Sequence, residues 1–484
     1  MSRILIVCVL LLLTLFNNTA QIKDKPNFII LIADDISQED IGCYGHPVMQ
    51  TPNINRLAAN GIRFDNTFLT ASSCSPSRTS IITGRYPHNT GACELHSPIP
   101  EGQVVFPQVL KDNGYYTAQA GKWHFGNEPV KPSGVALKAF DRSGGSGKDG
   151  GGPSGAEMWV KYLQQRPADK PFFMWFAAHD AHRTWDDEIF TKRYQTEDVI
   201  VPPYIVDDKQ TREDLVCYYN EVTRFDYYVG QVVKELEKQK ILDNTFIIVM
   251  ADNGRPFPRD KTRFYDSGIK TPFVVHYPGE MPQKELVSNS LLSVIDIAPT
   301  ILELAGCKVG KTFQGMSFKK LLQSPDKNFR DYVFAEHNWH DYKAYERMVR
   351  SKDLLYIENG LPGQNMIGPK DALDGGAGQS LKAGFENGTL SELQGRVYQS
   401  IQPEVELYHI PSDSLQITNL SGREKYKKAE KQLKKVLHNW QKQTHDSQPS
   451  NLTKDWYSRI DGTATDDKGS RGEMPGACKE ADKI

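Results

Sequence analysis

Four short apolar runs in this chain each end directly at polar or charged side chains, and this pattern constrains the fold more than any other feature. FIILIA is followed by Asp34 and Asp35, and FIIVMA is followed by Asp252 and Asn253. YYTAQA leads into GKWH, and FFMWFAA leads into HDAH. Continuous apolarity is typical of strands buried on both faces of a parallel sheet, whose carboxyl ends share one edge. We therefore expect these polar groups to converge in one crevice.

Helical patterns separate the runs, as at 214–239, where apolar residues recur at helical spacing. This alternation predicts an α/β fold with a large, mostly parallel sheet enclosed by helices. From about residue 330 the segments become shorter and more alternating, and an amphipathic stretch follows, which predicts a smaller antiparallel sheet with a helix packed on it. We expect an N-terminal domain at 21–330, a C-terminal α+β subdomain at 331–460, and a tail without stable structure at 461–484.

The first twenty residues, 1–20, have the pattern of a signal peptide. Arg3 precedes an apolar run at 4–16, and small residues end the stretch at Thr19 and Ala20. The run is too short to span a bilayer comfortably, so export without a membrane anchor is favoured. We expect a periplasmic protein of a bacterium, with a secreted or lysosomal protein as the alternative. The formal net charge of −2 provides no basic field for nucleic acid.

The strand ends carry a set of hard oxygen donors, namely Asp34, Asp35, Asp252 and Asn253. Taken singly, an Asp pair is equally typical of a helix cap, and Asp-Asn-Gly is typical of a turn. The coincidence of four such strand ends favours a site for Ca²⁺ or Mg²⁺, and Ca²⁺ better tolerates an irregular ligand set. Basic side chains follow the other two runs, which predicts that an anion with a transferable central atom binds beside the cation. These side chains are Lys122, His124 and His182.

The stretch SSCSPSR places Cys74 among hydroxyl groups. Ser75 can cap a helix that has Pro76 at its first position, and Gly84 is a natural end for that helix. Cys74 would then lie at the positive end of a short helix, where backbone N–H groups favour a bound anion. Arg78, one turn into the helix, can reach back toward it. A buried structural cysteine fits these polar surroundings poorly.

These segments resemble the type I sulfatases of the alkaline-phosphatase-like superfamily. CSPSR followed by TGR is similar to the sulfatase signature in which the cysteine, here Cys74, is oxidised to formylglycine. GKWH, ADNG and Lys261 in KTRFYDSG match further blocks, and ELYHI with ITNL resembles a later one. HDAHR is most similar to the branch that contains N-sulfoglucosamine sulfohydrolase, although Ala181 stands where that branch has proline. The resemblance covers roughly the whole mature chain and implies the alkaline-phosphatase-like fold.

The resemblance also implies a ligand set and a nucleophile. The Ca²⁺ ligands would be Asp34, Asp35, Asp252, Asn253 and the modified Cys74. The hydrated aldehyde at position 74 would attack the sulfur of a sulfate ester, while Arg78 and Lys122 lower the charge cost of the attacking oxygen. Making that aldehyde requires a formylglycine-generating enzyme or an anaerobic sulfatase-maturating enzyme as a partner.

Further residues receive roles in proton transfer and substrate binding from the same resemblance. Lys261 and His182 would bind sulfate oxygens and help protonate the departing sugar oxygen. His124 would take a proton from the second hydroxyl of the hydrated aldehyde, so that sulfate is released. Candidates for contacts with the sugar are Arg183, His337 and His340.

Three hypotheses about function follow. The first is an exported, exo-acting sulfatase that acts on a sulfated polysaccharide or its oligosaccharides, such as algal ulvan or a heparan-type glycosaminoglycan. The second is another member of the superfamily, either N-sulfoglucosamine sulfohydrolase (sulfamidase) or a phosphodiester or phosphonate monoester hydrolase. The third is a carbohydrate-binding protein in which Cys74 stays a thiol, which the intact set of sequence blocks disfavours.

Overall fold

The computed structural model of the protein describes residues 25–127, 131–132, 134–145, 152–185, 193–281, 285–365, 367–398 and 401–476. The predicted signal peptide at 1–20 lies outside the described residues. None of the helices in the described part of the chain has the length and apolarity that a membrane span requires.

Strands and helices alternate through the first two thirds of the chain. The strands are β1 (Asn27–Ala33), β2 (Ile62–Phe64), β3 (Thr67–Phe68), β4 (Tyr116–Gly121), β5 (Gly126–Asn127), β6 (Lys131–Pro132), β7 (Arg142–Gly144), β8 (Phe172–Ala177), β9 (Thr245–Ala251), β10 (Phe273–His276), β11 (Leu286–Ser288), β12 (Leu292–Ser293), β13 (Val333–Trp339), β14 (Lys343–Arg350), β15 (Leu354–Asn359) and β16 (Val405–His409). The α-helices are α1 (Pro52–Ala59), α2 (Cys74–Thr83), α3 (Phe106–Asp112), α4 (Gly134–Lys138), α5 (Trp159–Gln164), α6 (Lys209–Lys238), α7 (Asp266–Ile269), α8 (Ile297–Leu304), α9 (Lys370–Asp374), α10 (Gly376–Glu386), α11 (Glu392–Gly395) and α12 (Lys427–Thr444).

Among the described residues, eight strands form one large sheet in the order β11-β2-β10-β9-β1-β8-β4-β7. β1 pairs in parallel with both β8 and β9, and β4 continues the parallel arrangement through β8 and β7. β10 runs antiparallel to β9 and β2, so the sheet is mixed but mostly parallel. The four apolar runs form β1, β4, β8 and β9, which are neighbours, and their carboxyl ends lie side by side. The predicted α/β class is confirmed.

Both faces of this sheet are buried, because alternate residues of β1 enter two separate apolar clusters. Phe28 and Ile30 pack on the face that is covered by residues of α2, α3 and α8. Ile29 and Leu31 pack on the opposite face, against residues of α1, α5 and α6. A strand buried on both sides has no position for a polar residue, which explains the continuous apolar runs in the sequence. In β1 and β9, polar side chains are therefore confined to the strand ends.

The C-terminal part contains the predicted small antiparallel sheet, in the order β13-β14-β15-β16. One face packs on α12, whose buried side chains Leu433, Leu437 and Trp440 form a cluster with Tyr356 and Leu407. The other face joins the apolar cluster of the N-terminal part through residues of β13, β14 and β15. The two parts thus share a hydrophobic core, and the domain boundary near residue 330 stays a prediction.

Residues 461–476 contact the rest of the molecule, in contrast to the unstructured tail expected from their composition. Arg471 donates through Nη1 to Glu94 Oε2 over 3.1 Å and through Nη2 to the Leu95 carbonyl over 2.6 Å. The Gly91 N–H donates to the Pro475 carbonyl over 3.0 Å. The amino-acid composition did not predict these contacts, because backbone groups and one charged side chain make them. The rest of the expected tail, 477–484, lies outside the described residues.

Candidate active site

The ends of β1 and β9 bring three carboxylates and an amide together. The last residues of the two strands are direct partners in the parallel ladder, so the polar residues that follow them meet. The Asp35 N–H donates to Asp252 Oδ1 over 3.3 Å, and the side-chain nitrogen of Asn253 donates to Asp35 Oδ1. Asp34 is also fully buried in this group. The predicted convergence of these four side chains is therefore observed.

Cys74 is the first residue of α2 and faces these carboxylates. Its Sγ lies 3.6 Å from Asp34 Oδ1 and 3.9 Å from Asp35 Oδ1, and its side chain is buried. Burial also raises the pKa of the thiol well above its ordinary value, and the lysines Lys122 and Lys261 only partly oppose this effect. An unmodified Cys74 would therefore be a protonated thiol and a poor nucleophile.

α2 begins two residues earlier than predicted. Ser73, and not Ser75, occupies the cap position with an extended backbone (φ −159°, ψ 132°), and its carbonyl accepts the Ser77 N–H over 3.0 Å. Pro76 is tolerated within the first turn because N–H groups there have no partner inside the helix. Gly84 ends the helix as predicted, with φ at +61°, a conformation that glycine adopts at little cost. The cysteine thus lies within the first turn instead of before it.

Each of the three carboxylates has a close ion pair with a buried cation. The pairs are Asp34 with Lys122, Asp35 with Lys261 (Oδ2 to Nζ, 2.8 Å) and Asp252 with Arg78 (Oδ2 to Nε, 2.7 Å). Alternating charges of this kind reduce the cost of burial for each group. The same lysines and arginine surround Cys74 with positive charge, which suits an anion bound at that position.

Two buried polar groups in this cluster have atoms with no hydrogen-bond partner among the described residues. They are the terminal nitrogens Nη1 and Nη2 of Arg78 and the side-chain oxygen of Asn253. Buried polar atoms are rarely left in this state, so each indicates a ligand position. The Arg78 nitrogens can donate to an anion, and the Asn253 oxygen can coordinate a cation.

The raised pKa values of two of the carboxylates indicate that additional positive charge would be favourable in this cluster. Burial raises the pKa of Asp35 to about 8, although Lys261 opposes the shift. Burial likewise raises the pKa of Asp252 to about 6. Burial acts in the same direction on Asp34, but Lys122 and other cations outweigh it and hold that pKa well below its ordinary value. A bound divalent cation would keep all three groups ionised.

The donor set fits a hard cation such as Ca²⁺ or Mg²⁺. Asp34, Asp35 and Cys74 place one ligand atom each within 4.8 Å of one another, and Asp252 and Asn253 add oxygen donors. A thiol sulfur suits softer metals, whereas an oxygen at position 74 would complete a set of hard ligands. The site is thus better matched to an oxidised Cys74 than to the thiol.

Two histidines lie where proton transfer to a bound anion is possible. His124 is hydrogen-bonded to His96, with its Nε2 2.8 Å from the His96 Nδ1. Burial, together with nearby lysines, lowers the pKa of His182 to about 3 and that of His124 well below its ordinary value. Both imidazoles are therefore neutral at pH 7. A neutral imidazole beside cations is able to accept a proton during a reaction.

A cleft with a volume of about 760 Å³ opens beside Cys74, and we call it the active-site cleft. Its lining includes the predicted residues His124, His182, Lys261, Arg183 and His340. The other lining residues come from both parts of the chain, for example Trp185 and Asp214 from the N-terminal part and Asp371 and Tyr457 from the C-terminal part. The cleft is therefore formed where the two parts of the chain meet.

A family model described as Sulfatase matches residues 26–307, which is more than half of the 484-residue chain. The chain belongs to the sulfatase family. An "Ulvan-active sulfatase" of Formosa agariphila is 27% identical over 467 residues, covering 87% of this chain and 75% of that protein. The human "N-sulphoglucosamine sulphohydrolase" is 31% identical over 304 residues, covering 57% of this chain and 60% of that protein.

A solved structure has the same fold. It was determined "in complex with its substrate D-Glucosamine-2-N, 6-O-disulfate", and it superposes with a TM-score of 0.67 at 22% identity. The alignment covers 88% of this chain and 99% of that chain. The predicted alkaline-phosphatase-like fold is confirmed, and the protein is a sulfuric ester hydrolase.

Of the three residues predicted to contact the sugar, two reach the cleft of this sulfatase. His340 lines it and places Nδ1 2.8 Å from Ser73 Oγ. Arg183 also lines it, but its guanidinium forms two hydrogen bonds of 2.6 and 2.7 Å with Asp214, which favours a positioning role. His337 does not line this cleft. It lies in a separate small cavity, where its Nδ1 is 3.5 Å from Glu346 Oε2.

Sequence reasoning missed several residues of the sulfatase site. Asp371 on α9 lies 2.8 Å from Lys261 Nζ and 3.7 Å from His182 Nε2. His96 contacts His124, and the aromatic side chain of Tyr457 lines the cleft. None of them follows an apolar strand, and tertiary packing of a short helix and of two loops brings them to the site. No local pattern in the sequence could have identified them.

Proposed function

We propose that this sulfatase is exported and removes sulfate ester groups from a sulfated polysaccharide or its oligosaccharides, with formylglycine at position 74 and Ca²⁺ as cofactors. The observation that carries the proposal is the position of Cys74. It lies in the first turn of α2, within 4 Å of two buried carboxylates, and burial disfavours its thiolate. A cysteine in this state is unsuited to act as a nucleophile, whereas an oxidised side chain fits the surrounding donors.

Formylglycine in its hydrated form supplies an oxygen nucleophile, and Ca²⁺ lowers the cost of ionising it. The chain's own residues would bind and orient the sulfate group. Arg78 offers two buried nitrogens that have no hydrogen-bond partner among the described residues, and Lys122 and Lys261 add positive charge from either side. These groups are held by carboxylates before substrate binds, so they need not reorganise as negative charge develops.

His182 and His124 have the positions for the proton transfers. His182 lines the cleft on the side of Lys261 and Asp371, where the departing sugar oxygen would lie. His124, neutral and in contact with His96, would accept a proton from the residue at position 74. In this assignment His182 and Lys261 would contact the departing sugar oxygen. His124 would accept the proton that is lost when the aldehyde at position 74 forms again.

The comparisons favour a sulfated glycan as the substrate class. Relatives are named for activity on ulvan and on glucosamine derivatives, and a structural neighbour was solved with a disulfated glucosamine. The proposal therefore includes algal ulvan and heparan-type glycosaminoglycans as substrates of an exo-acting enzyme. The amino-terminal sequence pattern supports export to the periplasm, with secretion or a lysosomal location as alternatives.

Two measurements test the proposal. Peptide mass spectrometry after co-expression with a formylglycine-generating or anaerobic sulfatase-maturating enzyme should show that Cys74 has lost its sulfur, and the Cys74→Ala variant is the control. Sulfate release should then be measured on an aryl sulfate and on defined ulvan and heparan oligosaccharides. Activity on the aryl sulfate without release from either glycan would refute the substrate class, and an unconverted, inactive Cys74 would refute the mechanism.

The relative that is 31% identical favours a second candidate, hydrolysis of an N-sulfate by a sulfamidase. Paired glucosamine substrates that carry only an N-sulfate or only a 6-O-sulfate distinguish the two reactions. A phosphodiester or phosphonate monoester hydrolase is a further member of the superfamily. A preference for an aryl phosphodiester over the aryl sulfate would establish that activity in place of the sulfatase reaction.

A further inference from the structure

A second pocket adjoins the active-site cleft on the other side of helix α9. We call it the outer pocket. It has a volume of about 480 Å³, and its lining includes Lys370, Asp374, Lys382, Phe385, Tyr398 and Ile460. Lys370 and Asp374 line both spaces and pair with each other over 2.6 Å. The outer pocket and the cleft thus share two side chains of a five-residue helix.

The same helix connects the outer pocket to the reacting groups. Asp371, which lies between the two shared residues, contacts Lys261 Nζ at 2.8 Å. A glycan unit whose sulfate lies at Cys74 would therefore have its neighbouring sugar units close to α9. The cleft itself is at the upper end of the volumes typical of small-molecule sites, so the two spaces together exceed what one sugar requires.

The outer pocket presents an aromatic surface suited to a sugar ring. Phe385 is 53% exposed, which is unusual for a large aromatic side chain. It stacks on Tyr398 with a centroid distance of 4.6 Å and an interplanar angle of 21°. Tyr398 thus supports one face of Phe385. A ring held in this way is able to pack against the C–H face of a pyranose at low entropic cost.

A cationic side chain lies next to this aromatic surface. Lys382 precedes Phe385 by three residues on α10, so both side chains lie on the same face of the helix. Lys382 forms no ion pair within the described part of the chain, unlike Lys370, which is paired with Asp374. An amine beside an aromatic face matches a sugar unit that carries a carboxylate or a second sulfate.

We propose that the outer pocket binds a further anionic sugar unit of the glycan whose sulfate is held at Cys74. The sugar ring packs on Phe385, and its carboxylate or sulfate pairs with Lys382. The proposal rests on the proposed function for the position of the sulfate. It assigns to this enzyme a preference for oligosaccharides over monosaccharides, which the catalytic residues alone would not produce.

Binding measurements test this proposal separately from catalysis. In the Cys74→Ala background, affinities for ulvan- and heparan-derived disaccharides and hexasaccharides should be measured by calorimetry, with and without Phe385→Ala or Lys382→Met. Of the two hexasaccharides, we expect the one that the parent binds more tightly to bind roughly fivefold to tenfold more weakly to the Phe385→Ala variant. The affinity for the disaccharide from the same glycan should change little. Met316→Ala, at another exposed apolar residue, is the matched control and should have no effect.

The catalytic readout uses the enzyme with Cys74 intact. Phe385→Ala should leave kcat/KM on an aryl sulfate unchanged, since that substrate is too short to reach the outer pocket. Equal hexasaccharide affinity in the parent and in both outer-pocket variants would overturn the proposal, even if aryl sulfate is hydrolysed. A hexasaccharide-specific loss without any sulfate release would support the outer pocket while refuting the proposed function.

Discussion

Contacts of Arg471 connect the C-terminal segment 453–476 to the N-terminal part of the chain. We expect a substitution of this arginine to increase local opening of that segment. The guanidinium carbon lies 4.4 Å from the ring centroid of Trp339 and 4.5 Å from that of Trp456. Its two terminal nitrogens donate to Glu94 Oε2 and to the Leu95 carbonyl. Arg471→Ala removes all of these interactions at once.

The size of the effect follows from the contacts. Each cation–π contact at a partly exposed site contributes about 0.5–1 kcal/mol, and a hydrogen bond between charged groups contributes about 1.5–3 kcal/mol. Together they correspond to about 3 kcal/mol of local stability. The Glu94 carboxylate, whose pKa is already raised by burial, would also lose its cation. The destabilisation should therefore be larger at pH 8 than at pH 5, where an unpaired Glu94 is protonated more readily.

Hydrogen exchange measured by mass spectrometry is the assay, because it reports local opening. About 3 kcal/mol corresponds to roughly a hundredfold faster exchange of protected amides in 453–476. Arg471→Lys should have an intermediate effect, since lysine keeps the charge but lacks the planar group that stacks and donates twice. Leu95 precedes His96, which contacts His124, so turnover of an aryl sulfate should also slow.

Two results would refute this reasoning. Unchanged exchange in 453–476 would mean that the arginine contacts contribute no stability. An equal increase in exchange over the whole chain would mean that Arg471 stabilises the whole fold and not the segment 453–476 alone.

Three further predictions concern the helix that carries the cysteine, a buried acid and the site itself. Gly84→Ala should destabilise the fold by roughly 1–3 kcal/mol in denaturant unfolding, because φ is +61° and a Cβ would lie 2.8 Å from a carbon of the Phe313 ring. Burial raises the pKa of Asp226 from 3.8 to about 6, so the free energy of unfolding should fall as pH rises from 4 to 6, and Asp226→Asn should flatten that part of the pH profile. His96→Gln should lower kcat on an aryl sulfate roughly tenfold with little change in KM, because it alters the partner that orients His124.

The parts of the site that follow buried strands could be predicted from the sequence. Asp34, Asp35, Asp252 and Asn253 stand out because β1 and β9 have no other place for polar residues, and parallel pairing brings their ends together. The resemblance to sulfatases added Lys261, which follows no predicted strand. The start of α2 was mispredicted because serine is favourable at several positions of the sequence SSCSPS, and only the tertiary environment selects Ser73.

Residues that reach the site from loops and from the C-terminal part could not be predicted in this way. Asp371 and Tyr457 lie more than a hundred residues beyond the last predicted metal ligand and follow no regular pattern. His337 was predicted to contact the sugar together with His340, yet positions an odd number of residues apart along a strand point to opposite faces. His337 faces Glu346 inside the small sheet, whereas His340, just after the end of β13, reaches the cleft.

The two parts of the chain contribute different kinds of residues to the site. The N-terminal part supplies the carboxylates, the cysteine and the cations, all held by the sheet and by α2, where small shifts would be costly. The C-terminal part supplies α9, α10 and the segment that contains Tyr457, which line the cleft and the outer pocket. Asp371 on α9 is the exception in the second set, because it pairs with Lys261 over 2.8 Å. Substitutions on α10 and at the other positions of α9 should therefore alter substrate preference in this sulfatase, while the chemistry at position 74 stays the same.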